Sequence, residues 1–328
     1  MVQLVETLVR LRSETDTVRG LSPHALGYFY DWLPSATQHT IEVALRGASG
    51  KRGRKPGWWA AATQIRVLDQ STKAGVTTIV FGAPRLGEAA GDLYSQAMID
   101  GMDWRPSPQA TGIDLMATAL EDVLENRPDS DRLDDGVLTC FEHLDRFLGK
   151  RDSFAELVIP RRAINDSIHP MSPEVHCDIA GSVRAKSWRQ RTPPPRSSRV
   201  SGRLTMVDER TNRFALDLDD GKRVYGLYLP EDCRPLWQLG QKRVTMMGKV
   251  IYRPTGAALR LDAEVVEADP DAPSLFSRVP DPERSWHEQQ RQQKAAGKGS
   301  IEPLFGVLGD GGVDGDDETF IRDVEAVS

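Results

Sequence analysis

A basic loop from Arg46 to Trp59 is the segment best suited to bind a phosphate. It carries five basic residues, four glycines and two tryptophans, and it contains no acid. Guanidinium and ammonium groups pair with phosphates, and a tryptophan ring stacks on a base. The loop therefore predicts a nucleic-acid contact made by Arg46, Lys51, Arg52, Arg54, Lys55 and Trp58. The alternative is a solvated basic surface whose tryptophans turn back to the core, since charge runs usually face water.

Other candidate groups have the composition of a metal or acid site but not its spacing. His169, His176 and Cys177 follow no zinc-ligand pattern, so we expect structural roles for them. The glycines and acids at 310–316 lack the alternating ligands and the final glutamate of a calcium loop. The acids at 219–220, followed by glycine, are explained as a turn.

Catalytic motifs are missing from the sequence. It has no phosphate loop, nucleophile elbow, histidine-rich metal motif or cysteine–histidine pair. We therefore expect a non-catalytic protein with no cofactor and no metal. An enzyme of unrecognised type stays open as an interpretation, which a deep pocket with perturbed acids would support.

Length and composition bound the class of protein. A chain of 328 residues is too long for one ordinary core, so two domains with linkers are expected. Contents of 39% hydrophobic and 27% charged residues are typical of a soluble globular protein, and no apolar run is long enough to span a bilayer. The three cysteines lie far apart and indicate neither a disulfide framework nor a thiolate metal site. We expect a cytoplasmic location.

The segment from Arg199 to Glu267 has the pattern of a small β-barrel. Apolar and polar residues alternate along it, as they do in half-buried strands. Turn residues separate the alternating stretches, for example Asp219-Asp220-Gly221 and Pro254-Thr255-Gly256. A short helix is expected between Pro230 and Gly240. Three strands, a helix and two strands is the order of an OB-like barrel.

The N-terminal half predicts an α+β domain of antiparallel strands and helices. Thr111 and Asp114 fit a helix capping box, and Gly149 fits a helix stop. We expect strands at 39–46, 65–68, 77–83, 155–159 and 177–183, and helices at 3–12, 86–99, 111–127 and 133–148.

Composition divides the chain into an α+β domain at 1–188, a proline-rich linker at 189–198, the barrel at 199–268, a flexible linker at 269–300 and an acidic tail at 301–328. In the tail, two apolar groups are separated by glycines and acids. This pattern is typical of a peptide that becomes ordered on a partner. The predicted partner-binding residues are Leu304, Phe305, Phe320, Ile321, Arg322 and Val324.

Three stretches of the chain together are similar to the sequence pattern of a known family. The first comprises Ile41–Gly47, Arg52–Pro56, Trp59–Ala62 and Ala83–Ala90, the second Val200–Leu204, Asp220-Gly221 and Arg253–Gly256, and the third Leu304-Phe305-Gly306 and Gly315–Thr319. Together they resemble an uncharacterised family of bacterial proteins commonly found beside PIN-domain ribonucleases. The third stretch looks like the tail that such proteins share with some antitoxins, although Leu308–Gly312 stands where that pattern has Trp-Pro.

The resemblance implies a partner rather than a mechanism. It implies an antitoxin-like or regulatory protein whose tail binds a PIN-domain ribonuclease. Phe320, Ile321 and Val324 would fill a groove, and Arg322 would pair with the carboxylates that hold the nuclease metal. The alternative is a nucleic-acid-binding module that uses the basic loop and the barrel. The two functions can coexist.

Overall fold

An open sheet and a closed barrel, each of five strands, organise the chain. The computed structural model describes residues 3–13, 22–50, 55–95, 105–150, 153–162, 173–228, 236–271 and 273–282. The predicted partner-binding tail at 301–328 lies outside these residues, as do Lys51, Arg52, Arg54 and His169.

The first half of the chain mixes helices with the strands of the open sheet. Its sheet is antiparallel throughout, in the order β2-β3-β1-β4-β5. The elements are β1 (Leu4–Ser13), α1 (Pro23–Arg46), α2 (Trp59–Ala62), β2 (Arg66–Lys73), β3 (Val76–Pro84), α3 (Leu86–Ala89), α4 (Gly91–Tyr94), α5 (Gly112–Leu124), α6 (Asp135–Glu142), a 3-10 turn (His143–Arg146), β4 (Phe154–Pro160), β5 (Glu174–Cys177) and α7 (Ile179–Arg191).

Two element assignments at the start of the chain are wrong. Residues 3–12 form strand β1 rather than a helix, since Val9 and Leu11 are buried in alternation with the exposed Leu8. Residues 39–46 form the end of helix α1 rather than a strand. Ile41 and Leu45 pack into one apolar cluster and Val43 into another, so this turn is buried on two sides and mimics a two-residue period.

Of the remaining assignments in this half, the helix expected at 86–99 is wrong as one helix, because Ala90 leaves the helical conformation between α3 and α4, and residues 96–99 lie outside the described residues. Most of the others are correct. The strands at 65–68, 77–83 and 155–159 fall at β2, β3 and β4. Helix α5 begins with the predicted capping box, in which Thr111 and Asp114 satisfy each other's backbone N–H groups. The expected strand at 177–183 is wrong, because the Asp178 side chain accepts the Ala180 N–H at 2.9 Å and starts helix α7.

The second half forms the predicted OB-like barrel. Its strands are β6 (Arg196–Asp208), β7 (Arg213–Asp217), β8 (Arg223–Tyr228), β9 (Arg243–Tyr252) and β10 (Ala258–Ala268), with a 3-10 turn at Leu236–Leu239 between β8 and β9. They close in the order β10-β8-β7-β6-β9, and β8 and β10 run parallel while the other pairs are antiparallel. An α+β half followed by an OB-like barrel is therefore confirmed.

Close approach of the backbones makes the barrel depend on glycine. A Cβ atom at Gly226 would lie 2.3 Å from the Leu261 carbonyl oxygen and 2.1 Å from the Phe214 ring. A Cβ atom at Gly248 would lie 2.1 Å from the Asp262 carbonyl oxygen. Both glycines lie in strands that pair with β10, so they permit the closure of the barrel.

The two halves have separate apolar cores within one compact unit, residues 1–282. Phe29, Phe81 and Phe141 belong to the core of the first half, and Phe214 and Met246 to the core of the barrel. Of the predicted linker at 189–198, only residues 192–195 lie outside helix and strand. Among the described helices, none has both the length and the apolar character to cross a membrane.

Candidate functional site: a cleft beside the barrel

A cleft of about 1100 Å³ lies between the barrel and the helices of the first half. The end of α1, the segment at 105–110, the body of α5, the loop at 125–134 and the two residues after β4 form one wall, and parts of β6, β7 and β8 with the start of β10 form the other. The lining is rich in cations, which are Arg105, Arg127, Arg132, Arg161, Arg162, Arg213, Arg223 and Arg260.

The barrel wall presents an aromatic ring between charged groups. Tyr225 on β8 lies opposite Ala215 on β7, and it is 53% exposed although it lines the cleft. Two residues away on the same face, Arg223 binds both oxygens of Asp217 at 2.6 and 3.0 Å. These hydrogen bonds lower the pKa of Asp217 and raise that of Arg223. The wall therefore offers a flat ring next to a fixed guanidinium.

The opposite wall carries two arginines, Arg161 and Arg162, directly after β4. Arg161 pairs with Glu121, and both side chains are nearly buried. Arg162 pairs with Asp114 and donates to the Thr111 hydroxyl at 3.1 Å, so it is tied to the start of α5. Their positions follow from the paired acids on α5, which hold both guanidinium groups against the helix.

A buried carboxylate shapes the loop at 125–134. Asp122 is 1% exposed and accepts hydrogen bonds from Arg127 at 3.2 Å, from Ser130 at 2.6 Å and from Arg132 at 2.9 Å. Three contacts on one acid satisfy its charge and fix the course of the loop. The loop carries Asp129 and Asp131 to the edge of the cleft.

The floor of the cleft is where the barrel meets α1. Arg213 donates to the carbonyl oxygens of Val43 at 2.9 Å and Ala44 at 2.8 Å. A cation at these C-terminal carbonyls complements the helix dipole. Burial lowers the pKa of Arg213 to about 9. Arg213 thus holds the second barrel strand on the end of the first long helix.

A second buried contact lies beside it. Asp134 caps α6 through the Val137 N–H, accepts the Ser49 hydroxyl at 2.6 Å and lies 3.7 Å from Arg260 on β10. Because Asp134 and Arg260 are both largely buried, the pair is shielded from water and from salt. It links the loop after Gly47 to the barrel.

The side chains that line the cleft carry a net positive charge, and acids outside the lining offset part of it. Four aspartates accompany the eight arginines of the lining, namely Asp114, Asp122, Asp129 and Asp131. Further acids pair with these arginines from outside the lining, including Glu121, Asp134 and Asp217. An anionic ligand would therefore share guanidinium groups that already have protein partners.

Among its described residues, 46–50 and 55–59, the predicted basic loop contacts this cleft only through Gly47. Gly47 lines the cleft, but Arg46 is buried and pairs with Glu42 at 2.8 Å. Lys55 also pairs with Glu42 and lies 4.3 Å from the centre of the Trp59 ring. Trp58 is half-buried against an apolar cluster. Among the described residues of the loop, the charges and rings are thus used within the protein.

The other candidates from the sequence have structural partners. His176 is held by Glu156 at 2.8 Å, and Cys177 is fully buried, which raises the pKa of its thiol. Asp219 binds Arg243 through both oxygens. Within the described residues, no group of three or more His, Cys, Asp or Glu side chains is placed to hold a metal.

Sequence reasoning missed the cleft, because its arginines come from distant segments. One signal was present in the alternation of β7 and β8, where Arg213, Arg223 and Tyr225 occupy outward positions of the second and third barrel strands. In OB-like barrels this face binds oligonucleotides and oligosaccharides.

No family model and no curated protein matches this chain.

Proposed function

We propose that this protein binds single-stranded nucleic acid in the cleft beside the barrel. The observation that carries the proposal is Tyr225, an exposed ring beside Arg223 on the third strand of an OB-like barrel. Aromatic side chains on such a face stack with bases, and a basic groove follows the phosphates.

The requirement for stacking favours a single strand over a duplex. A base stacks on a protein ring only when it has left its own stack, and single strands expose their bases at low cost. OB folds hold about 4 to 16 nucleotides in this way. We therefore propose that a single strand of nucleic acid lies across β7 and β8 and that one of its bases stacks on Tyr225.

Phosphate contacts would come from the arginines of both walls. Arg223 on the barrel and Arg162 on the opposite wall remain partly exposed while paired. Since each has a carboxylate partner, a phosphate gains less than it would from a free cation. We expect weak binding that falls with salt, with a logarithmic slope of about −0.7 for each phosphate contacted.

The test is fluorescence anisotropy with a labelled single-stranded oligonucleotide at low salt, comparing Tyr225→Ala, Tyr225→Phe and the parent. Loss of one stacked base costs about 1–3 kcal/mol, so Tyr225→Ala should bind about 5- to 150-fold more weakly. Tyr225→Phe keeps the ring and should bind as the parent does. Tyr28→Ala is a matched control, because Tyr28 is also exposed but does not line the cleft. Equal affinity of Tyr225→Ala and the parent would refute the proposal.

Docking onto a PIN-domain ribonuclease is a second proposal, and the acidic tail at 301–328 supports it through its resemblance to antitoxin tails. Co-purification of the full chain with a tagged PIN-domain ribonuclease tests this proposal, and a truncation that ends at residue 300 is the control. Both proposed ligands belong to the cytoplasm, which is where we propose that the protein acts.

A further inference from the structure

We propose that the loop at 125–134 is an acidic gate, which a polyanion must displace to enter the cleft. The inference rests on the proposed function and concerns the regulation of the same site. The gate is formed by Asp129 and Asp131, which line the cleft and contact the barrel loop between β9 and β10.

Polar contacts at the surface close the gate. Asp131 pairs with Arg253, and Asp129 accepts the Thr255 hydroxyl. The Asp131 side chain is 78% exposed, so water and salt reach this pair. Exposed pairs of this kind contribute little to stability and weaken as salt increases. Because the buried Asp122 holds Ser130 and Arg132 on α5, the gate opens when the loop and α5 together separate from the barrel loop, and the surface contacts of Asp129 and Asp131 oppose that separation only weakly.

Two further contacts between the halves are less exposed than this pair. Arg213 is held on the carbonyls at the end of α1, and Arg260 lies against Asp134, the last residue of the gate loop, with both side chains largely buried. The apolar cores of the two halves share no residue among those described. Polar contacts between two halves permit relative motion. We therefore assign the less exposed contacts of Arg213 and Arg260 as the hinge, and the exposed Arg253–Asp131 pair as the opening edge.

Charge decides what opens the gate. A phosphate that enters the cleft meets the carboxylates of Asp129 and Asp131 and is repelled by both. When the loop moves away, Arg253 loses its carboxylate partner and can pair with a phosphate instead. The Arg253–Asp131 ion pair is then replaced by an ion pair between Arg253 and the phosphate. The free energy of this new pair offsets part of the free energy that is needed to open the gate.

A gain of affinity is the expected result when the gate loses its charge. In Asp129→Asn/Asp131→Asn the side chains keep their shape and can still accept hydrogen bonds. Single-stranded oligonucleotide should then bind at least about 3-fold more tightly than to the parent at low salt, and the difference should vanish at high salt because screening removes the repulsion. The matched control is Glu6→Gln/Asp69→Asn, which removes the same charge from exposed positions on β1 and β2, outside the cleft lining. Equal or weaker binding by the gate variant, or an equal gain in the control, would overturn the gate.

A second measurement detects opening of the gate in the absence of nucleic acid. A cysteine at position 259, in Leu259→Cys, lies half-buried in the cleft and removes no gate contact. It should react with a thiol reagent faster as salt increases, because the Arg253–Asp131 pair weakens and the cleft opens. Ser71→Cys on the exposed strand β2 is the control and should react at a constant rate. Constant labelling at position 259 would contradict the gate. If labelling depends on salt but no oligonucleotide binds the parent or the variants, the gate stands and the proposed function fails.

Discussion

The close approach of β8 and β10 at Gly226 predicts that Gly226→Ala destabilises the fold. The added Cβ atom would lie 2.3 Å from the Leu261 carbonyl oxygen and 2.1 Å from the Phe214 ring. Ordinary contacts of a Cβ atom are about 1 Å longer, and neither neighbour is the free end of a flexible side chain. The oxygen belongs to the paired strand β10, and the Phe214 ring is fully buried.

Relief of this overlap requires the β8–β10 pair to separate. Overpacking of a filled core costs about 1–3 kcal/mol, and displacement of a strand adds the loss of hydrogen bonds at about 1 kcal/mol each. We expect Gly226→Ala to lower the free energy of unfolding by about 3 kcal/mol or more. Urea denaturation measures this loss as a shift of the midpoint at constant slope.

Gly27→Ala is the matched control, because the same chemical change should have the opposite sign. Gly27 lies inside helix α1, is exposed and has no atom within 4 Å of its added Cβ. Alanine stabilises a helix interior by about 0.5–1 kcal/mol relative to glycine. A loss of less than about 1 kcal/mol for Gly226→Ala would refute the close approach of β8 and β10.

Two further predictions concern the cleft and the tail. The Asp217 pKa is lowered mainly by its hydrogen bond with Arg223, so the folded state favours the carboxylate. The stability from this pair is present above about pH 4, the ordinary range of an aspartate, and is lost as pH falls through the lowered pKa. The difference in unfolding free energy between the parent and Arg223→Ala should therefore disappear in acid, and a difference that is constant with pH would contradict the pairing. In the tail, we expect Phe320→Ala to abolish co-purification with the ribonuclease, whereas Arg322→Ala should leave a complex that no longer inhibits it in a ribonuclease assay. Full inhibition by Arg322→Ala would exclude the arginine mechanism.

The barrel was predictable because each of its signals is local. Alternation identifies the strands, and the turns contain Asn212, Gly221 and Gly256, all of which adopt the positive φ that their residue types favour. The first half was harder to predict. The end of α1 is buried by two clusters at once, so its apolar spacing no longer distinguishes a helix from a strand. Residues 3–12 show the reverse case, since a strand can also place apolar residues at helical spacing by chance.

The candidate site was less predictable than the fold. The charges of the basic loop are adjacent in sequence and so predict a binding surface, yet Arg46 and Lys55 neutralise the buried Glu42. The cleft arginines come from segments as distant as Arg105 and Arg260, and only the tertiary structure brings them together. Tyr225 was the accessible signal, because an aromatic residue at an outward position of a barrel strand has no core to fill.

The separation of the two cores has a consequence for how the protein unfolds. Because the two apolar cores share no residue among those described, we expect the barrel and the first half to melt in separate cooperative steps. A ligand in the cleft touches both halves, so it binds only while both are folded. Its binding free energy then opposes the melting of either one. Saturating ligand should therefore merge the two unfolding transitions into one. Calorimetry would show this change and would measure how strongly a ligand in the cleft couples the unfolding of the two halves.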